Sequence, residues 1–278
     1  MLLQQWFGQS LLLPMILAFA SAGIFRIIWG IKIGPMVAGS SIGIAFVLAY
    51  FVAIGFPAWP ATGSVHKIFY LGIASFLIGT LLDSEGFGVK TKRLLILLFP
   101  LFAMGWVITP LLSETVQKWE LMLVCISLVA VLIIFARLSR PMENEVIAPI
   151  QLALAASGVA AIAWYGGSFS QVKVGLILAS SLVGFILWNW PVSRFRSGAA
   201  LLLCGGIPTI ALALQIAIYS NAGGISLVVL TLVFFTDWLA DGIQVSNLRI
   251  ARAFRPLLVV VTGLLVISSA TLASVMLP

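Results

Sequence analysis

Ten apolar runs separated by short polar gaps make up almost the whole chain. They cover about 8–27, 36–56, 68–82, 94–112, 121–136, 146–165, 174–190, 199–219, 224–239 and 257–276. Roughly 20 helical residues cross a bilayer core, so the pattern predicts an all-α, polytopic integral membrane protein with about ten transmembrane helices. The third, fifth and ninth runs are short and must borrow flanking residues or accommodate a mismatch with the bilayer. No stretch is left for a soluble domain, and residues 1–278 read as a single transmembrane domain.

The polar gaps are not alike. Of 15 Lys and Arg residues, 12 lie in or beside the odd-numbered gaps: Arg26 and Lys32; Lys90, Lys92 and Arg93; Arg137 and Arg140; Arg194 and Arg196; Arg249, Arg252 and Arg255. The even-numbered gaps hold only Lys67, Lys118 and Lys173. Basic residues stay in the cytoplasm as helices insert, which places the odd gaps inside and both termini outside. Eight of nine tryptophans sit at run ends or in gaps, where an amphipathic ring meets the headgroups. Trp106 alone is mid-run.

A weak internal echo divides the chain into halves 1–140 and 141–278. The segment that begins at Pro14 matches the one that begins at Pro149 at five of ten positions, at an offset of 135. Trp59-Pro60 recurs as Trp190-Pro191 at an offset of 131. Five helices per half would make the halves an inverted repeat, an architecture of many secondary transporters. That is an analogy of fold, not of activity.

Composition agrees with the pattern. A chain 62% hydrophobic and 8% charged has too little polar surface to cover a soluble fold. The net charge of +7 follows from topology and contact with anionic headgroups, so no nucleic-acid partner is implied. Cys125 and Cys204 lie in apolar runs and read as small buried hydrophobes, not a disulfide. The first 25 residues lack a basic leader region, so the opening run is expected to remain as a span. Compact loops point to a bacterial inner (plasma) membrane.

Candidate chemistry is sparse. No charged residue or histidine occupies the middle of a run, so the midplane carboxylate that commonly couples transport to protons or sodium is missing. The single histidine, His66, stands at a helix start, and no His/Cys/Asp/Glu grouping has metal-ligand spacing. No enzyme, metal or cofactor is expected. Asp237 and Asp241 stand i,i+4 on one helix face, either as a cytoplasmic gate or as partners of Arg249, Arg252 or Arg255. The segment 241–256 reads as a short helix on the anionic leaflet, or as a docking site for a membrane-protein partner. The sharper candidate is backbone. Cys204-Gly205-Gly206-Ile207-Pro208 should break its helix and free carbonyls, with Thr209, Gln215 and Gln151 as nearby polar groups along a substrate path. The alternative is a kink that lets helices pack closely through the glycines.

The sequence thus leads to a transporter of a small molecule or lipid-type substrate. A non-catalytic integral subunit or assembly factor of a membrane complex is the alternative. A carrier should enclose a polar midplane cavity near Gly205–Pro208, whereas a structural subunit should be packed solid there.

Overall fold

The structure, a computed structural model, describes residues 8–61, 63–84, 86–112, 118–140, 146–219, 224–241 and 248–276. It is 86% helix, with no strand among the described residues. In chain order the helices are α1 (Gly8–Ile28, its first turn a π-helix), α2 (Gly30–Val37), α3 (Ser40–Ala53), α4 (Ser64–Asp83), α5 (Val89–Leu112) and α6 (Lys118–Leu138). There follow α7 (Ile147–Tyr165), α8 (Phe169–Asn189), α9 (Ala199–Tyr219) and α10 (Gly224–Leu230). A 3-10 turn (Thr231–Phe235) joins α10 to α11 (Thr236–Asp241), and α12 (Leu248–Met276) ends the chain.

All ten apolar runs are helical, and seven helices are long and apolar enough to cross a membrane: α1, α4, α5, α7, α8, α9 and α12. Shorter apolar helices occupy the second, fifth and ninth runs. Two of these lengths differ from expectation. The third run gains its first turn from Ser64–Lys67 and reaches spanning length. The second is divided by a turn at 38–39, where Gly39 lies so close to Leu201 that an added Cβ would stand 2.7 Å from its backbone nitrogen.

Small residues decide which helices are central. Alanine and glycine fill much of α7, and 83% of its span is buried, against 22% for α12 and 17% for α1. α7 packs on α8, α9 and α12, while α4 pairs with α9. At Gly79 an added Cβ would lie 2.6 Å from Ala200 Cα, so only glycine lets α4 approach α9 this closely. Gly184 of α8 stands in the same way against the Met15 carbonyl of α1. Exposed Ile16, Ile24, Leu98, Phe102, Leu265 and Leu272 leave the outer helices apolar toward their surroundings, as a lipid solvent requires.

Polar contacts sort the gaps into two ends. Asp83 beyond the third run bonds the start of α9, Arg26 at the first gap reaches Phe195 in the seventh, and Arg137 at the fifth meets Asp237 at the ninth. Lys67 of the second gap donates to the Trp106 carbonyl in the second half of α5, and Lys173 of the sixth donates weakly to Ala53. The first end is the basic end. Trp59 in the loop between α3 and α4, Trp164 at the end of α7 and Trp238 in α11 are exposed.

Sequence neighbours pack alike in the two halves, α1 on α3 as α7 on α8, and α5 on α6 as α10 on α12. The centre is not symmetric. α7 packs extensively on α12, and among the described residues α1 has no comparable contact with α6.

Candidate functional site

A charged cluster lies at the basic end where α6, α7 and α11 converge. Arg137, in the last turn of α6, donates through one Nη to both Asp237 carboxylate oxygens at 2.7 and 2.8 Å. Its Nε donates to the Phe234 carbonyl at 3.0 Å, and its guanidinium lies 5.0 Å from the centre of the Phe235 ring. Gln151 Nε2 donates to Asp237 Oδ1 at 3.1 Å. The reversed amide would set an oxygen against the carboxylate, so electrostatics fixes this orientation. Gln151 Oε1 is buried without a hydrogen-bond partner among the described residues. Asp237 is 8% exposed and Gln151 fully buried. Arg137 closes its helix and is partly exposed, whereas Asp237 lies about a turn inside the ninth apolar run, where a carboxylate left alone is expensive.

Asp237 has a partner that the sequence did not suggest: Arg137, a hundred residues earlier in the chain. The side chains of Asp241, Arg249 and Arg252 lie outside the described residues; Arg255 is half-buried at the start of the span in α12. Arg137 was legible only as a topological charge. The overlooked signal was an opposite charge directly after the fifth run, at the same basic end as Asp237.

The Gly205–Pro208 expectation is corrected. α9 runs through Pro208 as one helix, not as two broken pieces. Pro208 has no N–H to offer the Cys204 carbonyl, but the adjoining Gly205 carbonyl accepts the Thr209 hydroxyl at 2.6 Å. An added Cβ at Gly205 would meet Leu182 and Leu152, and one at Gly206 would meet Phe135 at 2.7 Å. Cys204, Thr209 and Gln215 are buried in the same helix. Close packing therefore occupies the place expected for a polar path. Gln151 spends its amide N–H on Asp237, while its neighbour Leu152 packs beside Gly205 of α9.

Other polar groups act between helices. Asp83 accepts the Ala199 and Ala200 N–H groups at 2.8 Å each. Thr80 donates to Phe76, so the 2.7 Å contact between Ser40 and Thr80 has Ser40 as its donor. Pro110 cannot donate to the Trp106 carbonyl, and Lys67 Nζ and the Thr109 hydroxyl do so instead, at 3.1 and 2.9 Å. His66 Nδ1 stands 3.3 Å from the Tyr50 hydroxyl. Cys204 is buried, but Cys125 is exposed and departs from the expected burial; both are free thiols.

An apolar cleft opens between helices. It has a volume of about 290 Å³ and lies between α7, α8 and α12, bounded by Ile150, Ala153 and Leu154, by Ala179, Val183 and Ile186, and by Pro256, Leu257 and Val260. Ser157 supplies the one hydroxyl in this lining, and it is turned back to the Leu154 carbonyl at 2.9 Å. Trp190, 41% exposed, stands at its basic end. With no charge and exposed Val183 and Leu257 on its rim, the cleft suits an apolar chain. No protein family and no curated protein matches this chain.

Proposed function

We propose that the protein is a membrane carrier of a lipid-type amphiphile, without a charged residue at the midplane. The observation that carries this reading is the uncharged lateral cleft between α7, α8 and α12, set on a densely packed core. An apolar chain enters such a cleft from the bilayer without crossing water, and the Trp190 ring and the basic end suit a polar head. The close packing at Gly205 and Gly206 argues against a polar central path and so favours an amphiphile over a small hydrophilic solute. Ten spans, with halves 1–140 and 141–278 inverted about an axis in the membrane, extend the proposal. The Pro14/Pro149 and Trp59/Trp190 echoes and the matching neighbour pairs support it. The grouping of basic residues supports an orientation with the Arg137–Asp237 end in the cytoplasm and both termini outside, and the compact loops support a bacterial inner membrane as its location.

The test is movement of a headgroup-labelled fluorescent phospholipid between leaflets of liposomes containing the purified protein. Protein-dependent movement should occur, and Ala153→Phe, which fills the cleft, should reduce it at least tenfold. The second reading, a non-catalytic subunit, rests on the same solid packing at Gly205–Pro208. Absence of movement, together with a stoichiometric membrane partner on mild extraction, would replace the first reading by the second.

A further inference from the structure

A second opening lies at the basic end between α1 and α8, apart from the cleft. Its volume is about 420 Å³, and its lining includes Phe19, Gly23, Arg26, Ile27, Trp188 and Arg194. The notch is held in shape by specific contacts. Trp188 Nε1 donates to the Phe19 carbonyl at 2.8 Å, and the two rings stack with centres 4.8 Å apart. Gly23 leaves room for the indole, since an added Cβ would stand 3.0 Å from it. Asn189 Oδ1 accepts the Arg194 and Phe195 N–H groups at 2.9 and 2.7 Å, which fixes the loop that carries Arg194. Arg194 lies 5.9 Å from the Trp188 ring and Arg26 6.0 Å from the Phe195 ring. Two guanidiniums are thus steadied by aromatic faces. The one ion pair among the described residues is Arg137–Asp237, so neither arginine is neutralised in this way.

We infer that this notch is a binding site for the headgroup of one anionic phospholipid. The lining contains two cations and no carboxylate, which selects an anion. Both helices end here, and their carbonyl ends carry roughly half a negative charge each; two full guanidinium charges exceed that. The rim decides between a lipid and a soluble anion. Ile24 and Ile27 are 50% and 82% exposed beside the arginines, and Phe19 is 40% exposed deeper along α1. A phosphodiester between Arg26 and Arg194 can lay its acyl chains on that apolar face, whereas a soluble phosphate leaves it uncovered. The inference does not depend on the carrier reading.

Native mass spectrometry of the intact protein, released from nanodiscs of phosphatidylglycerol and phosphatidylcholine, tests it. The wild type should retain one phosphatidylglycerol with at least tenfold preference over phosphatidylcholine. Arg26→Gln/Arg194→Gln should lose that preference, while Lys90→Gln/Arg93→Gln, which removes equal charge from exposed positions elsewhere at the basic end, should keep it. Equal retention in both double variants, or equal loss in both, would overturn the site. Displacement of the lipid by a few millimolar inorganic phosphate would instead assign the notch to a free anion and overturn the lipid assignment. Lipid translocation is a separate readout, so the two proposals fail independently.

Discussion

The carboxylate of Asp83 caps α9 from 116 residues away, accepting the Ala199 and Ala200 N–H groups through its two oxygens. A helix start leaves N–H groups without intrahelical acceptors, and α9 has no acidic residue in its own first turn. The cap comes from the last residue of α4, the helix that approaches α9 through Gly79. One carboxylate therefore satisfies two buried donors and fixes the register of a helix pair.

Asp83→Ala removes both bonds and the charge at the helix N-terminus, and should lower stability by about 2 kcal/mol. Asp83→Asn keeps one acceptor and should lose about half as much. Thermal unfolding of the detergent-solubilised protein, followed by tryptophan fluorescence, reads the difference. Equal losses for the two variants would show that the single bond left to asparagine contributes nothing without the charge.

Arg137 and Asp237 should behave as a coupled pair. Removing either partner, by Arg137→Met or Asp237→Leu, strands the other inside the bundle and should destabilise by about 3 kcal/mol. The double variant should lose clearly less than the sum of the two. Additive losses in a double-mutant cycle would mean that the side chains do not interact in the folded protein.

Glycines that look equivalent in sequence should differ sharply. Gly184→Val forces a side chain against the Met15 carbonyl and should cost about 1–3 kcal/mol by separating α1 from α8. Gly105→Ala, where an added Cβ meets nothing within 4 Å, should leave unfolding unchanged or slightly delayed. Comparable losses at both positions would contradict the packing.

Sidedness is open to chemical labelling. In a variant with Cys125→Ser and Cys204→Ala, single cysteines at Lys90 and Ala61 should react with an impermeant thiol reagent from opposite faces of the membrane. Lys90 lies at the basic end and Ala61 at the other. Labelling of both from one side would sink the ten-span topology.

The sequence by itself determined the helical class, the positions of the ten apolar segments and the grouping of basic residues at one end. Each is written locally, because an apolar run in lipid must satisfy its own backbone as a helix and each gap carries its own charge. Which runs are central was legible only in part. The Ala/Gly content of α7 marks a helix able to approach others, but not the helices it meets.

Tertiary structure decided the site. Pro208 and two glycines look like a break in sequence, yet Phe135, Leu152 and Leu182 fill the space beside the glycines and a Thr209 hydroxyl takes the Gly205 carbonyl. Asp237 has three arginines soon after it in sequence, yet the end of α6 brings Arg137 to it. The cleft of α7, α8 and α12 and the notch of α1 and α8 are bounded by residues more than a hundred positions apart. Local propensity carries no record of such distances; packing of small residues brings the helices together, and only then do partners and openings exist.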